Sequence, residues 1–394
     1  MKKHHLLLML LIPFLFSCGK DNGNDTQENK NPDEIIDPNQ NTNPGTEDED
    51  LAPEVKDGDV ITVTSDKMEK FVTEVTYPEN DYTETHILDD AYGPTAPGNA
   101  DKPKEFTIRW GKDAAGKPAV KLWEDDGWSR NFTDLAADDY YLTISNLRPN
   151  AKYHFEVTAD GKKIKEGSFT TKGQVHQVFF YKQVRNARDL GGWKTKDGTK
   201  TVKYRKVYRG GRLQANTLTT KGIKDIQAEG IKAQLDLRGK SDVLSAPAIQ
   251  GMDFCAPVIE EGYSHLLKND QQKAKECFEF IAKCVHENKP VYFHCSLGRD
   301  RTGTVAMIVL GILGVNEGDI SKEYELTQFA PHGWATSDGE KTKMTRKADY
   351  DDAAKYIWSL AGDGGSFADG MQNYLLSIGV TQDTIDQFRS DMLE

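Results

Sequence analysis

The chain has 394 residues, enough for two or three domains, and its 28% charged and 37% hydrophobic residues describe a globular protein. A formal net charge of −12 argues against a nucleic-acid partner. Beyond residue 18 no apolar run is long enough to span a bilayer.

Residues 1–18 read as a targeting segment, with Lys2 and Lys3 ahead of an apolar run over 6–16. Leu15-Phe16-Ser17-Cys18 resembles the lipobox of bacterial lipoproteins. That resemblance implies lipidation of Cys18, which becomes the mature N-terminus; the alternative is an ordinary cleaved signal with an incidental cysteine. Gly19-Lys20-Asp21 resembles the surface-export signals of Bacteroidetes-type lipoproteins, which implies an outer-membrane or cell-surface location. Residues 19–52 are almost devoid of apolar side chains and read as a disordered tether. Its root-mean-square reach is about 30 Å.

Residues 53–172 read as an all-β domain. Short alternating segments at 60–64, 71–77, 106–110, 140–144, 153–158 and 167–171 are separated by Gly, Pro, Asn and Asp. The stretch 146–157, with Leu147, Pro149 and Tyr153, resembles the turn and following strand of fibronectin type III-like sandwiches, where a Leu and a Tyr pin the corner between sheets. Asp160-Gly161 predicts a hairpin turn. Trp123, Trp128 and Tyr140 read first as core and rim aromatics of a sandwich, and second as a surface for a protein or glycan partner.

From residue 175 to 394 the pattern alternates between β and α, as in a mostly parallel sheet flanked by helices. Helices are expected at 220–229, 273–288, 304–313, 349–360 and 367–376, and strands at 233–238 and 252–258. Thr381 is expected to cap a last helix that buries Ile385 and Phe388.

The chemistry concentrates in residues 290–303. They read as a buried strand, a tight loop from Cys295 through Ser296, Leu297, Gly298, Arg299 and Asp300 to Arg301, and the start of an apolar helix. Loop N–H groups can form a nest for phosphate oxygens, and the helix adds its positive end. Arg301 can offer a two-donor fork. The same fields favour a thiolate on Cys295. The bland alternative is a buried structural cysteine at a strand end. Together with His294 before the cysteine and Thr302-Gly303 after the arginine, the loop resembles the signature of the cysteine-dependent tyrosine phosphatase superfamily. Gly298-Arg299-Asp300-Arg301-Thr302-Gly303 looks most like the bacterial tyrosine/lipid phosphatase branch, whose usual Lys is Arg299 here. Residues 186–192 and 207–213 resemble N-terminal landmarks of that branch.

The resemblance implies a phosphocysteine intermediate, with phosphotyrosine as the default substrate class. Phosphoinositides or inositol phosphates are the rival, and a non-catalytic phosphate-binding or adhesive module is the alternative from another class. Thr302 would hydrogen-bond the thiolate, with Ser296 the other candidate, and His294 would hold the loop from behind. Arg299 either points charge at the mouth or is a solvated loop residue. The general acid is expected at Asp300, with Glu260 and Glu261 on a mobile loop as alternatives; Asp236, beside Arg238, looks structural. No metal or cofactor is required, because Arg301 and the nest fill the electrophilic role.

No disulfide framework or zinc spacing appears. Cys277 and Cys284, seven apart on one helix, would sit about 10 Å apart, beyond bridging distance. Oxidation of a low-pKa Cys295 would then have only Cys255 as a resolving thiol.

Overall fold

The computed structural model describes residues 51–82, 102–180, 184, 186–330 and 347–394. The leader, Cys18 and the tether up to residue 50 lie outside the described residues.

The N-terminal part contains strands β1 (Val60–Thr62), β2 (Phe106–Arg109), β3 (Pro118–Glu124), β4 (Ser129–Phe132), β5 (Tyr141–Ile144), β6 (Lys152–Ala159) and β7 (Lys162–Lys172). One sheet has the order β1-β7-β6-β3-β4, and β2 pairs with β5. Alternation explains the pairing of faces: Val120 and Leu122 of β3, and Tyr153, Phe155 and Val157 of β6, all point inward. They share one core with Phe106, Ile108, Leu142 and Ile144 of the β2–β5 pair. Asp160 and Gly161 take φ of 46° and 77°, the doubly left-handed turn that matches strand twist between β6 and β7. The Tyr153 hydroxyl accepts from the Arg148 N–H at 2.8 Å and pins the preceding corner.

Two elements differ from the sequence reading. Residues 71–77 were expected as a strand, but helix α1 spans Asp66–Glu74. Ser65 caps it by accepting from Met68 N, and Met68, Phe71 and Val72 recur at helical spacing. The β-branched Val72, Thr73 and Val75 masked that period. The β3–β4 hairpin was not anticipated, because the charged Glu124 takes an inward position and β4 carries few apolar residues.

The α/β part adds β8 (Arg188–Asp189), β9 (Val207–Gly210), α2 (Thr220–Ala228), β10 (Ala233–Asp236), β11 (Asp253–Cys255), α3 (Tyr263–Lys268), α4 (Gln271–His286) and β12 (Val291–His294). Helices α5 (Asp300–Ile312), α6 (Glu317–Glu325), α7 (Lys347–Trp358), α8 (Phe367–Ser377) and α9 (Gln382–Met392) follow. The sheet order is β11-β10-β12-β9-β8, with β9 to β12 mutually parallel and β8 antiparallel at the edge. Strands β9, β10 and β12 are buried along their whole length, as expected of a sheet covered by helices. Helix α5 is buried from Thr302 to Ile312. Thr381 caps α9 by accepting from Thr384 N, and Ile385 and Phe388 are buried.

The β3–β4 hairpin docks on α2. Trp128 donates from Nε1 to the Ala228 carbonyl at 2.9 Å, and the Arg205 guanidinium lies 4.3 Å from the Trp128 ring centroid. The buried Glu124 carboxylate is paired with Arg148 and Arg205, each at 2.6 Å, so its charge is matched at the junction. Trp128 is therefore committed to internal packing. Trp123 stacks on His154 at 5.4 Å, and Tyr140 lies edge-on to Tyr141 at 5.0 Å. Among the described residues no helix is long and apolar enough to cross a membrane.

Candidate active site

Strand β12 ends at His294, and α5 begins at Asp300. The loop between them must turn within five residues, and Gly298 supplies the left-handed step with φ of 74°. A Cβ there would also overlap the backbone of Gly210 at the end of β9.

The loop's carbonyls are held outward by donors from other elements. Cys295 O lies 3.1 Å from His294 Nδ1, and Ser296 O accepts from Arg212 N at 3.2 Å. Gly298 O accepts from Asn186 Nδ2 at 2.9 Å and from the Arg209 guanidinium. Carbonyls satisfied elsewhere leave a loop of this kind able to turn its N–H groups to an anion.

A buried brace stands behind it. Arg209 pairs with Glu323 at 2.8 Å, and Arg188 donates from Nε to Glu323 at 2.7 Å and from Nη2 to its carbonyl at 2.6 Å. Burial and the adjacent Arg209 charge push the Arg188 guanidinium down to about 10. Sequence reasoning took residues 186–192 and 207–213 only as landmarks and missed Glu323 altogether.

His294 is fully buried. Cys295 O can only accept, so Nδ1 carries the proton and Nε2 accepts from the Gln234 amide at 2.9 Å. Burial lowers its pKa to about 4, against the raising influence of Asp236. The neutral form is the one the fold stabilises, so this contribution is complete above pH ~6.5 and is lost as pH falls toward ~4. Its size is about 3 kcal/mol. In urea titrations, the stability advantage of wild type over His294→Gln should therefore shrink from pH 7 to pH 4.5. A difference that does not change with pH would mean that His294 is not held neutral.

Cys295 is 2% exposed. Burial opposes its ionisation, yet the Arg301 charge and the hydroxyl and N–H of Thr302 outweigh it, and the thiol titrates below its ordinary value. The Thr302 hydroxyl has no aligned hydrogen-bond partner, so its share is smaller than that of the Arg301 charge. Arg301 donates from Nη1 to Ile259 O at 2.9 Å, which fixes one arm of its fork.

The carboxylates separate by their partners. Asp236 is held by both arms of Arg238 at 2.9 and 2.8 Å and by Leu244 N; burial raises its pKa, but these donors bring it below the usual carboxylate value. Arg299 corrects the expectation of a solvated loop residue: it is 7% exposed and donates to Asp300 at 2.7 Å. The Tyr263 hydroxyl also donates to Asp300. Glu260 accepts from Lys240 N at 2.9 Å, and Glu261 is exposed. The 259–263 loop, expected to be mobile, is pinned here by Arg301 on Ile259 O and by Tyr263 N on Thr304 Oγ1 at 2.7 Å. Gly262 also packs on the backbone of Asp300 and Arg301. Asp242, not anticipated, accepts from Ser296 Oγ at 2.7 Å.

Cys255 cannot serve as a resolving thiol in this arrangement. It lies on β11, two strands from β12, so about 10 Å of sheet separates it from the Cys295 strand. Burial and Glu276 push its thiol up to about 12.

Two curated relatives match part of the chain. A putative tyrosine-protein phosphatase of Cupriavidus necator is 26% identical over 165 residues, 36% of this chain and 59% of the relative. A tyrosine-protein phosphatase of Nostoc commune is 27% identical over 142 residues, 33% of this chain and 48% of the relative. The chain thus spans about half the length of these relatives. Among solved structures, P. aeruginosa TpbA in complex with pTyr is 15% identical, covering 45% of this chain and 90% of that one, at a TM-score of 0.29, too low to carry an argument. Residues 180–394, more than half of the chain, match the model of the tyrosine phosphatase family, and the chain belongs to that family.

Proposed function

We propose that this chain hydrolyses phosphomonoesters through a phosphocysteine on Cys295, with phosphotyrosine as its substrate class. The observation that carries the reading is the outward-held set of loop carbonyls around a cysteine whose thiol titrates low. The Cys295 thiolate attacks phosphorus, the S–P bond forms as the P–O bond to the leaving group breaks, and the leaving oxygen takes a proton. Water then attacks the phosphocysteine, releasing phosphate and restoring the thiolate. The loop N–H groups and the Arg301 fork stabilise the transferring phosphoryl group.

Asp300 is the proposed proton carrier. It gives its proton to the leaving oxygen in the first step and takes one from the attacking water in the second, which restores the acid for the next turnover. Asp300→Asn should slow phosphotyrosine far more than a nitrophenyl ester, whose phenoxide leaves readily unprotonated, and should flatten the alkaline limb of the turnover profile. Should Glu260→Gln or Glu261→Gln show that dependence and Asp300→Asn not, the acid lies on the 259–263 loop.

Arg299 is paired with Asp300, which leaves it less charge to offer a polyphosphorylated ligand and supports keeping phosphoinositides behind phosphotyrosine. Initial rates on phosphotyrosine peptide, phosphoserine peptide, phosphoinositide and inositol hexakisphosphate test this order; preference for either lipid or inositol substrate would reverse it, and no turnover at all would favour a binding module. The leader and tether support an exported lipoprotein anchored through Cys18 at the outer membrane or cell surface, with a fibronectin type III-like domain between tether and enzyme. Detergent phase partitioning of wild type against Cys18→Ser tests the anchor.

A further inference from the structure

Helix α1 lies between β1 and β2 in sequence, yet it packs elsewhere. Met68, Phe71, Val72, Val75 and Tyr77 belong to the core of the α/β part, whereas the strands on either side of this segment build the other core. The docking surface is α6, a helix buried nearly all round despite carrying Glu317, Lys322, Glu323 and Glu325. Burying so many charges is costly unless each is matched. Here the matches lie on opposite neighbours.

Gly318, Lys322 and Glu325 share one side of α6, at helical spacings of four and three. Lys322 Nζ donates to Val72 O at 3.1 Å and to Val75 O at 3.0 Å, closing the C-terminal end of α1. The Tyr77 hydroxyl donates to Glu325 at 2.6 Å, and Gly318 lies against the Tyr77 carbonyl with no room for a Cβ. Asn80 N donates to Glu317 at 3.1 Å. Phe71 packs on Phe329, just past α6, with ring centroids 6.1 Å apart.

Glu323 points elsewhere, to Arg188 and Arg209, and Arg209 holds the Gly298 carbonyl. Thr327, one turn beyond, accepts at 3.1 Å from the same Asn186 amide that donates to Gly298 O. One short helix and its following turn thus carry the strap on one side and the phosphate loop's brace on the other.

We propose that residues 66–80, which precede the family-matched span, are a positioning element of the phosphatase site, acting through α6 on the Glu323–Arg209–Gly298 brace. The catalytic unit is then discontinuous in sequence. Its loop geometry depends on a segment threaded out of the N-terminal β region.

The inference rests on the phosphatase reading and is tested on the full chain with Tyr77→Phe and Phe71→Ala. Three readouts are taken below the melting point of every variant: unfolding midpoint, vanadate affinity, and the pH dependence of Cys295 alkylation by iodoacetamide. Both variants should weaken vanadate binding, Phe71→Ala by about tenfold, and shift the alkylation profile to higher pH. Lower midpoints with unchanged vanadate affinity and alkylation would overturn the proposal and leave the strap a purely structural clasp. If Phe71→Ala does not fold, Tyr77→Phe, which removes one hydroxyl, decides by the same readouts. A wild-type chain that neither turns over nor binds vanadate sinks the phosphatase reading itself; wild type and variants that bind equally well sink only the strap.

Discussion

Replacing Cys295 by Ser should reduce turnover of an aryl phosphate by about four orders of magnitude or more, while phosphate binding is retained. The two halves of this expectation come from different parts of the site. Turnover needs a thiolate, and the Arg301 charge that draws the cysteine's pKa down cannot ionise a hydroxyl, whose pKa starts far higher. Binding needs the proposed N–H cradle, whose backbone is held through its carbonyls by Asn186, Arg209, His294 and the Arg212 N–H. None of these contacts involves the sulfur. Wild-type turnover should also survive a chelator, because the proposed electrophile is Arg301 with the nest. Steady-state rates with and without chelator, beside phosphate calorimetry on the variant, check both halves. A serine variant that keeps more than about one hundredth of wild-type turnover would rule out the phosphocysteine route.

The strand, turn and helix start of the candidate loop were legible because its parts are contiguous. Strand, nucleophile, turn glycine, arginine and helix start fall within residues 290–303, and each residue type has a local job. Most helices were legible for a similar reason, since a period of 3.6 survives in short windows. What escaped is what three dimensions assemble. The brace draws Arg188 and Arg209 from two strands and Glu323 from a helix more than a hundred residues away. Asp242 reaches Ser296 across 54 positions. No spacing rule links such residues. A buried glutamate on a helix looks, in sequence, like any solvated one.

Helix α1 failed for a different reason. Its β-branched residues carry a strand propensity that tertiary contacts override, and the groove that holds it is built from residues 317–329. Arg299 failed because its partner is its own neighbour. Side chains at adjacent positions rarely meet along a helix, but here Asp300 is the first residue of α5 and Arg299 is the capping position before it.

Arg301→Lys should cost two or more orders of magnitude in turnover, about 3 kcal/mol of transition-state stabilisation. Charge alone would predict a mild effect, since lysine keeps it. Geometry predicts the larger one. Arg301 already spends one arm of its guanidinium on the Ile259 carbonyl at 2.9 Å, which aims the remaining donors. A lysine ammonium is a single point on a flexible stem and cannot hold that carbonyl while presenting parallel donors to two phosphoryl oxygens. The loss should therefore appear in turnover more than in ground-state affinity, because the fork matters most as charge spreads over the equatorial oxygens. The thiolate should be less affected, as the positive charge next to Cys295 survives; its alkylation profile should move much less than the rate falls. A tenfold or smaller drop in turnover would mean that Arg301 serves Cys295 as a charge and does not grip the transferring group. A large drop in which phosphate affinity falls by the same factor would mean that its fork binds substrate and transition state alike.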